Sequence, residues 1–439
     1  MTRVLRLLPV LFLAAPSRAL PTGRQVARRG TAPGANEGRA PLSSWVWVAC
    51  MHRREATIRD VENITHSLVG ATLAELALPA SATRSQRRLF FAAGIIAANL
   101  PDADLLYTRI TTAPLGYLLH HRGHTHTVAG LLVQAAIIGL IALLPAVQQR
   151  IGASRPRFAL LIGAGLVSHL VLDSWNSYGV HPFWPIDNRW YYGDAIYIVE
   201  PWLWLFFGVA ATMNAQSARA RGVVGALLSV LAMALAWFGM IGVSELVALV
   251  IVATGAVLLL TRLTPRARSL SALLATSAFV ISMFGVRTDI EQRVLASLAP
   301  TSGAQVLDIV LSPQPANPLC WTALAIVKDQ RAGDYVMTRG SVPFGGVAHC
   351  GGAERGRVTW TAPVRQSLAN LRGLVRSDCR VRAWMQFGRA PVIGEGAIAD
   401  VRFGQPARGN FSAMSLAADE AGCPANLTAW SAPRADLLE

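Results

Sequence analysis

Apolar stretches free of Lys and Arg recur along the first two thirds of the chain, at about 127–147, 158–175, 196–213, 222–241, 244–261 and 269–286. Each approaches the ~20 residues that a bilayer-spanning helix requires. Two shorter stretches, about 64–80 and 89–107, are interrupted by His66, Glu75, Asp102 and Asp104. They predict helices that stop partway or line a polar cavity. The pattern over 61–286 therefore predicts a mainly α, polytopic membrane bundle of about seven or eight helices. After about Arg287 it changes. Gly and Pro punctuate the chain, and strand-like runs appear at 306–311, 322–327 and 381–387, which predicts a soluble C-terminal domain, α+β or β-rich, over 287–439.

Composition agrees with a membrane protein and argues against an ordinary soluble enzyme: 53% of the 439 residues are hydrophobic and 15% charged. The net charge of +15 would suit nucleic acid, but the arginines sit mostly in short loops, so a topological role is expected and no nucleic-acid partner. Residues 1–60 read differently. Arg3, the apolar run 7–15 and small residues ending near Ala19 resemble a secretory signal. The stretch 21–41, rich in Arg, Gly, Ala and Pro, is expected to be disordered. The alternative is that translation starts at Met51.

Basic residues assign the sides. Arg84, Arg87 and Arg88, then Arg150, Arg155 and Arg157, then Arg219 and Arg221, then Arg262, Arg266 and Arg268 occupy alternate loops. One assignment puts them all in the cytoplasm. His66, the 102–126 loop and the 169–194 stretch then share the outer face, with Arg109 and Arg122 as exceptions. Eight crossings would return the C-terminal domain to that face. It carries Cys320, Cys350, Cys379 and Cys423, whereas 61–286 has no cysteine. Two disulfides in an oxidising compartment are expected, with three connectivities open. The alternative is four unpaired thiols.

Seven of the nine histidines fall between His66 and His181, beside aspartates in apolar surroundings. Ionisable groups at bilayer depth are costly and mark function. Imidazoles and carboxylates gathered this densely suit a divalent ion, zinc or manganese, with room for one ion or two. His169 and Asp173 are four apart and share a helical face. Asp102 and Asp104 follow Pro101 at an irregular break. His121, His124 and His126 cannot all lie on one face, and Gly123 argues for a loop. The expected ligands are His66, Asp102, Asp104, His121, His126, His169 and Asp173. Asp104 or Asp173 could act as general base, and Arg122 could hold an anionic group. His120 and His181 suit surface or interface positions. Bland readings stand beside each: a capped helix end at His66, a helix start at Asp102 and Asp104, a buried polar pair at His169 and Asp173, and an interfacial belt of Trp175, Trp184, Trp190, Trp202 and Trp204.

Four motifs in order, Thr65-His66-Ser67, Pro101-Asp102-x-Asp104, His121-Arg122-x-x-Thr125-His126-Thr127 and His169-x-x-x-Asp173 with Asn176 and Gly179, resemble the YdjM-like family of bacterial inner-membrane proteins. The resemblance covers about 60–210, and the tail resembles the appended domain of longer members. Thr127 stands where serine is more usual, and His120 and His124 crowd the central motif. The resemblance implies a membrane-bound metal-dependent hydrolase, with the seven residues above at its metal site. The order of motifs also resembles that of zinc-dependent phospholipases C, which implies a phosphodiester substrate. The expected function is hydrolysis of a membrane lipid or lipid-linked substrate at the outer face of the inner membrane. The alternatives are a divalent-metal transporter or sensor without catalysis, and a scaffold with structural histidines.

Overall fold

The computed structural model describes residues 54–298, 304–329, 331–345, 350, 356–404, 410–417 and 422–439. The signal-like segment, the 21–41 stretch and Met51 lie outside the described residues. Helix α1 (Arg54–Ala77) is followed by α2 (Arg84–Asn99), which tightens into a 3-10 segment at Leu100–Leu106, where Pro101 interrupts the α ladder. Next come α3 (Leu115–His120), α4 (Val128–Ala142), α5 (Pro145–Ile151), α6 (Arg155–Asp173), α7 (Pro201–Asn214), α8 (Ala218–Trp237), α9 (Val243–Leu260) and α10 (Pro265–Ser297). Their starts are written in the sequence. The side chains of Thr83, Thr127, Ser217 and Thr264 accept hydrogen bonds from the first-turn amides of α2, α4, α8 and α10. Proline opens α6, α7 and α10.

Five helical stretches among the described residues are long and apolar enough to cross a membrane: Arg84–Ile110, Pro145–Asp173, α8, α9 and α10. The pair Leu115–His126 and Val128–Ala142, bent by 65°, would make a sixth. Among the described residues the expected count of seven or eight crossings is not confirmed, for local reasons. The 127–147 run breaks before Pro145. Helix α7 has 14 residues, about 21 Å, which is short of a ~30 Å hydrocarbon core. The 64–80 run is the end of a longer helix whose first turns are polar in sequence. Helices α8 and α9 expose apolar side chains along their length, among them Val223, Val230, Trp237, Ile251 and Leu258. Such faces suit lipid rather than water.

Small residues knit the helices that carry the polar motifs. A Cβ added at Gly70 on α1 would stand 2.4 Å from the Gly94 carbonyl oxygen on α2. One added at Gly165 on α6 would stand 2.9 Å from Ala97 Cβ. These glycines let α1, α2 and α6 pack backbone to backbone, and Asn99 Nδ2 donates to Ser67 Oγ across the first contact (3.1 Å).

The C-terminal part is α+β. Strands β1 (Ala304–Gln314), β2 (Asn317–Asp329) and β3 (Asp334–Pro343) form an antiparallel sheet, and β4 (Thr359–Trp360) and β5 (Val364–Ser367) both pair with β3. A second sheet holds β6 (Pro391–Gly394), β7 (Ala397–Asp400) and β8 (Met414–Ser415). The helices are α11 (Leu368–Ser377), α12 (Cys379–Trp384) and α13 (Ala435–Leu438). The expected strand at 381–387 is instead mostly α12: Asp378 caps it through the Arg380 amide, and Val381 and Trp384, three apart, are buried together. The disulfides are Cys320–Cys350 and Cys379–Cys423, selecting one of the three connectivities.

The two parts share a core. Leu115, Leu118, Leu119, Tyr178 and Trp190 from the helical region pack with Tyr335, Trp384, Phe387 and Trp430 from the C-terminal region. Helix α10 runs unbroken through the expected boundary at 286/287.

Candidate metal centre

Three elements deliver the central side chains. The 3-10 segment after α2 carries Asp102 and Asp104; the turn after α3 carries His121, Arg122, Thr125 and His126; the last turns of α6 carry His169 and Asp173. The turn is tight. Arg122 takes the left-handed conformation (φ 54°), uncommon outside glycine, and a Cβ at Gly123 would stand 2.5 Å from the His120 carbonyl oxygen.

His126 Nε2 and His169 Nε2 lie 3.0 Å apart. Asp102 Oδ1 is 3.4 Å from each. Asp173 Oδ2 is 3.2 Å from His126 Nε2 and 3.5 Å from His169 Nε2. All four atoms lie within 4.8 Å of one another. The outer ring nitrogens fix which way the imidazoles face. His169 Nδ1 is 2.7 Å from the Ala98 carbonyl oxygen, so it must donate, and in the neutral ring Nε2 then carries the lone pair. The Thr125 hydroxyl donates to Asp104 Oδ2 (3.0 Å), and His126 Nδ1 stands 3.0 Å from that hydroxyl and 3.1 Å from the same carboxylate oxygen. His126 therefore also donates outward, and its neutral ring would turn a lone pair on Nε2 inward. Asp173 Oδ2 has no hydrogen-bond partner among the described residues.

With both imidazoles neutral, four acceptors converge, an arrangement that a cation among them would relieve. Zinc, with bonds to N and O of about 2.0–2.1 Å, spaces tetrahedral ligands about 3.3–3.4 Å apart. The five separations above, 3.0 to 3.5 Å, bracket that value. Charge agrees: the carboxylates of Asp102, Asp104 and Asp173 face one guanidinium, Arg122, in a site where only Asp102 keeps appreciable exposure, 11%. Counting the imidazoles as neutral, two negative charges remain, which a divalent ion would balance. The donor set fits zinc.

The other expected residues surround this set. Asp104, fully buried, contacts His121 Nδ1 (3.1 Å), Thr125 and His126. With Asp102 and His121 it forms a second group whose ligand atoms also lie within 4.8 Å of one another. His66 stacks on His169 at 3.9 Å, with Nε2 3.4 Å from Asp173 Oδ1. Its buried Nδ1 has no hydrogen-bond partner among the described residues, and the residue lines a recess with Thr65, Leu172, Asp173, Trp175 and Asn176. Arg122 is completely buried: Nη2 contacts Asp173 Oδ1 (3.1 Å), Nη1 donates to the Asp173 carbonyl and Asn176 Oδ1 (both 3.1 Å), and the group lies over Tyr178. His120 bonds Thr111 and His181 is buried against Trp190 and Trp430, outside both ligand groups. Three of the tryptophans expected in an interfacial belt also make specific internal bonds. Trp190, Trp202 and Trp204 donate to the Gln386 carbonyl, the Ala316 carbonyl and Thr65 Oγ1 and so tie elements together.

Sequence reasoning had no signal for the Ala98 carbonyl, which is backbone, or for Tyr178 and Trp430, which reach the site only through packing of distant segments.

A helical membrane domain with a buried His and Asp centre is the class this architecture defines. Residues 61–244 match the family model described as YdjM inner membrane protein, which bears out the resemblance drawn from the motifs. The match takes in every residue of the centre and leaves the C-terminal part outside. No curated protein and no solved structure matches the chain.

Proposed function

We propose that the chain is a membrane-bound metal-dependent hydrolase, with Asp102, His126, His169 and Asp173 as the ligands of one divalent ion, zinc in the first place. The observation that carries this is the pair of inward-facing Nε2 atoms closed by two carboxylate oxygens at the spacing of tetrahedral zinc ligands. When bound, such an ion supplies Lewis acidity, polarising the bond under attack and acidifying water. The remaining residues prepare the site. Asp104 and Thr125 orient His126, and the Ala98 carbonyl orients His169. Arg122 occupies Asp173 Oδ1 and leaves Oδ2 for the centre. Asp102, the most exposed of the four, marks the side from which substrate and water approach.

The substrate class we favour is a phosphodiester or lipid-linked compound, reached at the outer face of the inner membrane. Support for that face comes from the alternation of arginine-bearing loops and from two disulfides in the C-terminal region, which suit an oxidising compartment. The test is metal content and hydrolysis of phospholipid in vesicles by the purified full-length protein, beside His126→Ala and Asp173→Ala. The wild type should hold stoichiometric metal and cleave lipid, and both variants should do neither. Metal without cleavage of any phosphodiester, together with metal flux across the vesicle, would replace the hydrolase with a transporter.

A further inference from the structure

The loops that form the centre do not fold back on the membrane helices alone. Trp430, near the end of the chain and 2% exposed, reaches over helix α3 and donates from Nε1 to the Leu119 carbonyl oxygen (2.9 Å), two residues before His121. Its ring packs against His181 (centroids 3.5 Å apart) and His124 (4.9 Å). The next amide, Ser431 N–H, donates to the Asn188 carbonyl (3.1 Å). From the other side, Arg402 Nη1 donates to the Ser177 carbonyl (2.7 Å), between Asn176, which binds Arg122, and Tyr178, which underlies it. Both segments that set Arg122 and His126 are therefore gripped by side chains from a region more than 200 residues further along the chain.

We infer that the C-terminal domain is the template that sets the metal loops, and that Trp430 is a positioning residue for His121, Arg122 and His126. The physical reason is the strain and irregularity of that turn. A three-residue 3-10 segment and a left-handed arginine are held from within only by bonds of short sequence reach, such as Gly123 N–H to the His120 carbonyl and His126 N–H to the Gly123 carbonyl. A donor from a distant segment to the Leu119 carbonyl, near the end of α3, therefore fixes where the turn begins. Ligand placement within a few tenths of an ångström depends on such outer contacts. The inference rests on the proposed metal centre for its second readout only.

The test uses the full-length protein in detergent, comparing wild type with Trp430→Phe, which keeps most of the packing and loses the Nε1 donor, and Trp430→Ala, which loses both. Hydrogen exchange of the 116–127 amides, measured without added metal, should speed up at least about tenfold in Trp430→Ala, with Trp430→Phe intermediate. Zinc affinity by chelator competition should fall about 10- to 100-fold in the same order, while helical content and both disulfides stay as in wild type. Unchanged exchange in 116–127, in a variant that keeps its helical content, overturns the inference. Should Trp430→Ala fail to fold, Trp430→Phe decides by the same exchange. If the wild type binds no zinc, the metal centre fails and exchange alone still decides the template role. A purely structural Trp430 would lower thermal stability while leaving the zinc affinity of the folded protein at the wild-type value, and that result also overturns it.

Discussion

Two buried charged clusters in this protein look alike in composition and differ in completeness. At the junction with the C-terminal domain, Arg389 bonds both oxygens of Asp194 (3.0 and 2.8 Å) and both of Asp308 (2.7 and 3.1 Å), and Arg434 adds a contact to Asp308 at 3.2 Å. Burial alone would pull the Arg389 guanidinium down, but Asp194 and Asp308 push it well above its ordinary value. Every acceptor there has a donor. In the membrane region, the Nε2 atoms of His126 and His169 and carboxylate oxygens of Asp102 and Asp173 face one another, and Asp173 Oδ2 has no hydrogen-bond partner among the described residues. Both clusters hang on a non-glycine residue in the left-handed conformation, Asp194 (φ 51°) and Arg122 (φ 54°). The difference is instructive: a closed set of charges explains itself as structure, whereas an open set calls for a ligand.

That contrast can be broken experimentally. The largest effect on metal binding should come from the open cluster. His169→Ala or Asp173→Ala should weaken zinc binding by about 100-fold or more, since one of four ligands is lost, measured by chelator competition on folded protein. Arg389→Ala leaves two carboxylates facing each other and should destabilise the C-terminal region by about 3–5 kcal/mol. Its unfolding in denaturant reads this, and the metal content of the folded fraction should not change. Asp104→Asn removes the charge that orients His126 and should cost about 10- to 100-fold in zinc affinity. Thr125→Val, which removes a single hydroxyl bridging Asp104 and His126, should cost only about 1 kcal/mol, roughly fivefold. If Arg389→Ala removed metal as thoroughly as Asp173→Ala, the two clusters would be one unit and the contrast would fail.

Much of this was legible in the chain. The i, i+4 spacing of His169 and Asp173, the proline before Asp102 and the histidine run around Gly123 placed all four central residues in the expected set, because helix periodicity and a broken ladder are local properties. The count of crossings was less legible. Apolar runs do not show where α4 gives way before Pro145 or that α7 stops after 14 residues. The division of labour inside the site was hidden too. Arg122 reads as a free cation in sequence, but its position is set by Asp173, Asn176 and Tyr178, more than 50 residues away. Helix α12 escaped for a related reason: a short apolar alternation reads as a strand until the Asp378 cap and the packing of Trp384 are known.

The most direct measurement is zinc K-edge X-ray absorption on the zinc-loaded full-length protein. Asp102, His126, His169 and Asp173 predict four N or O neighbours at about 2.0–2.1 Å, with the multiple scattering of two imidazoles. A shell lacking histidine, or protein that retains no stoichiometric metal, would contradict the account.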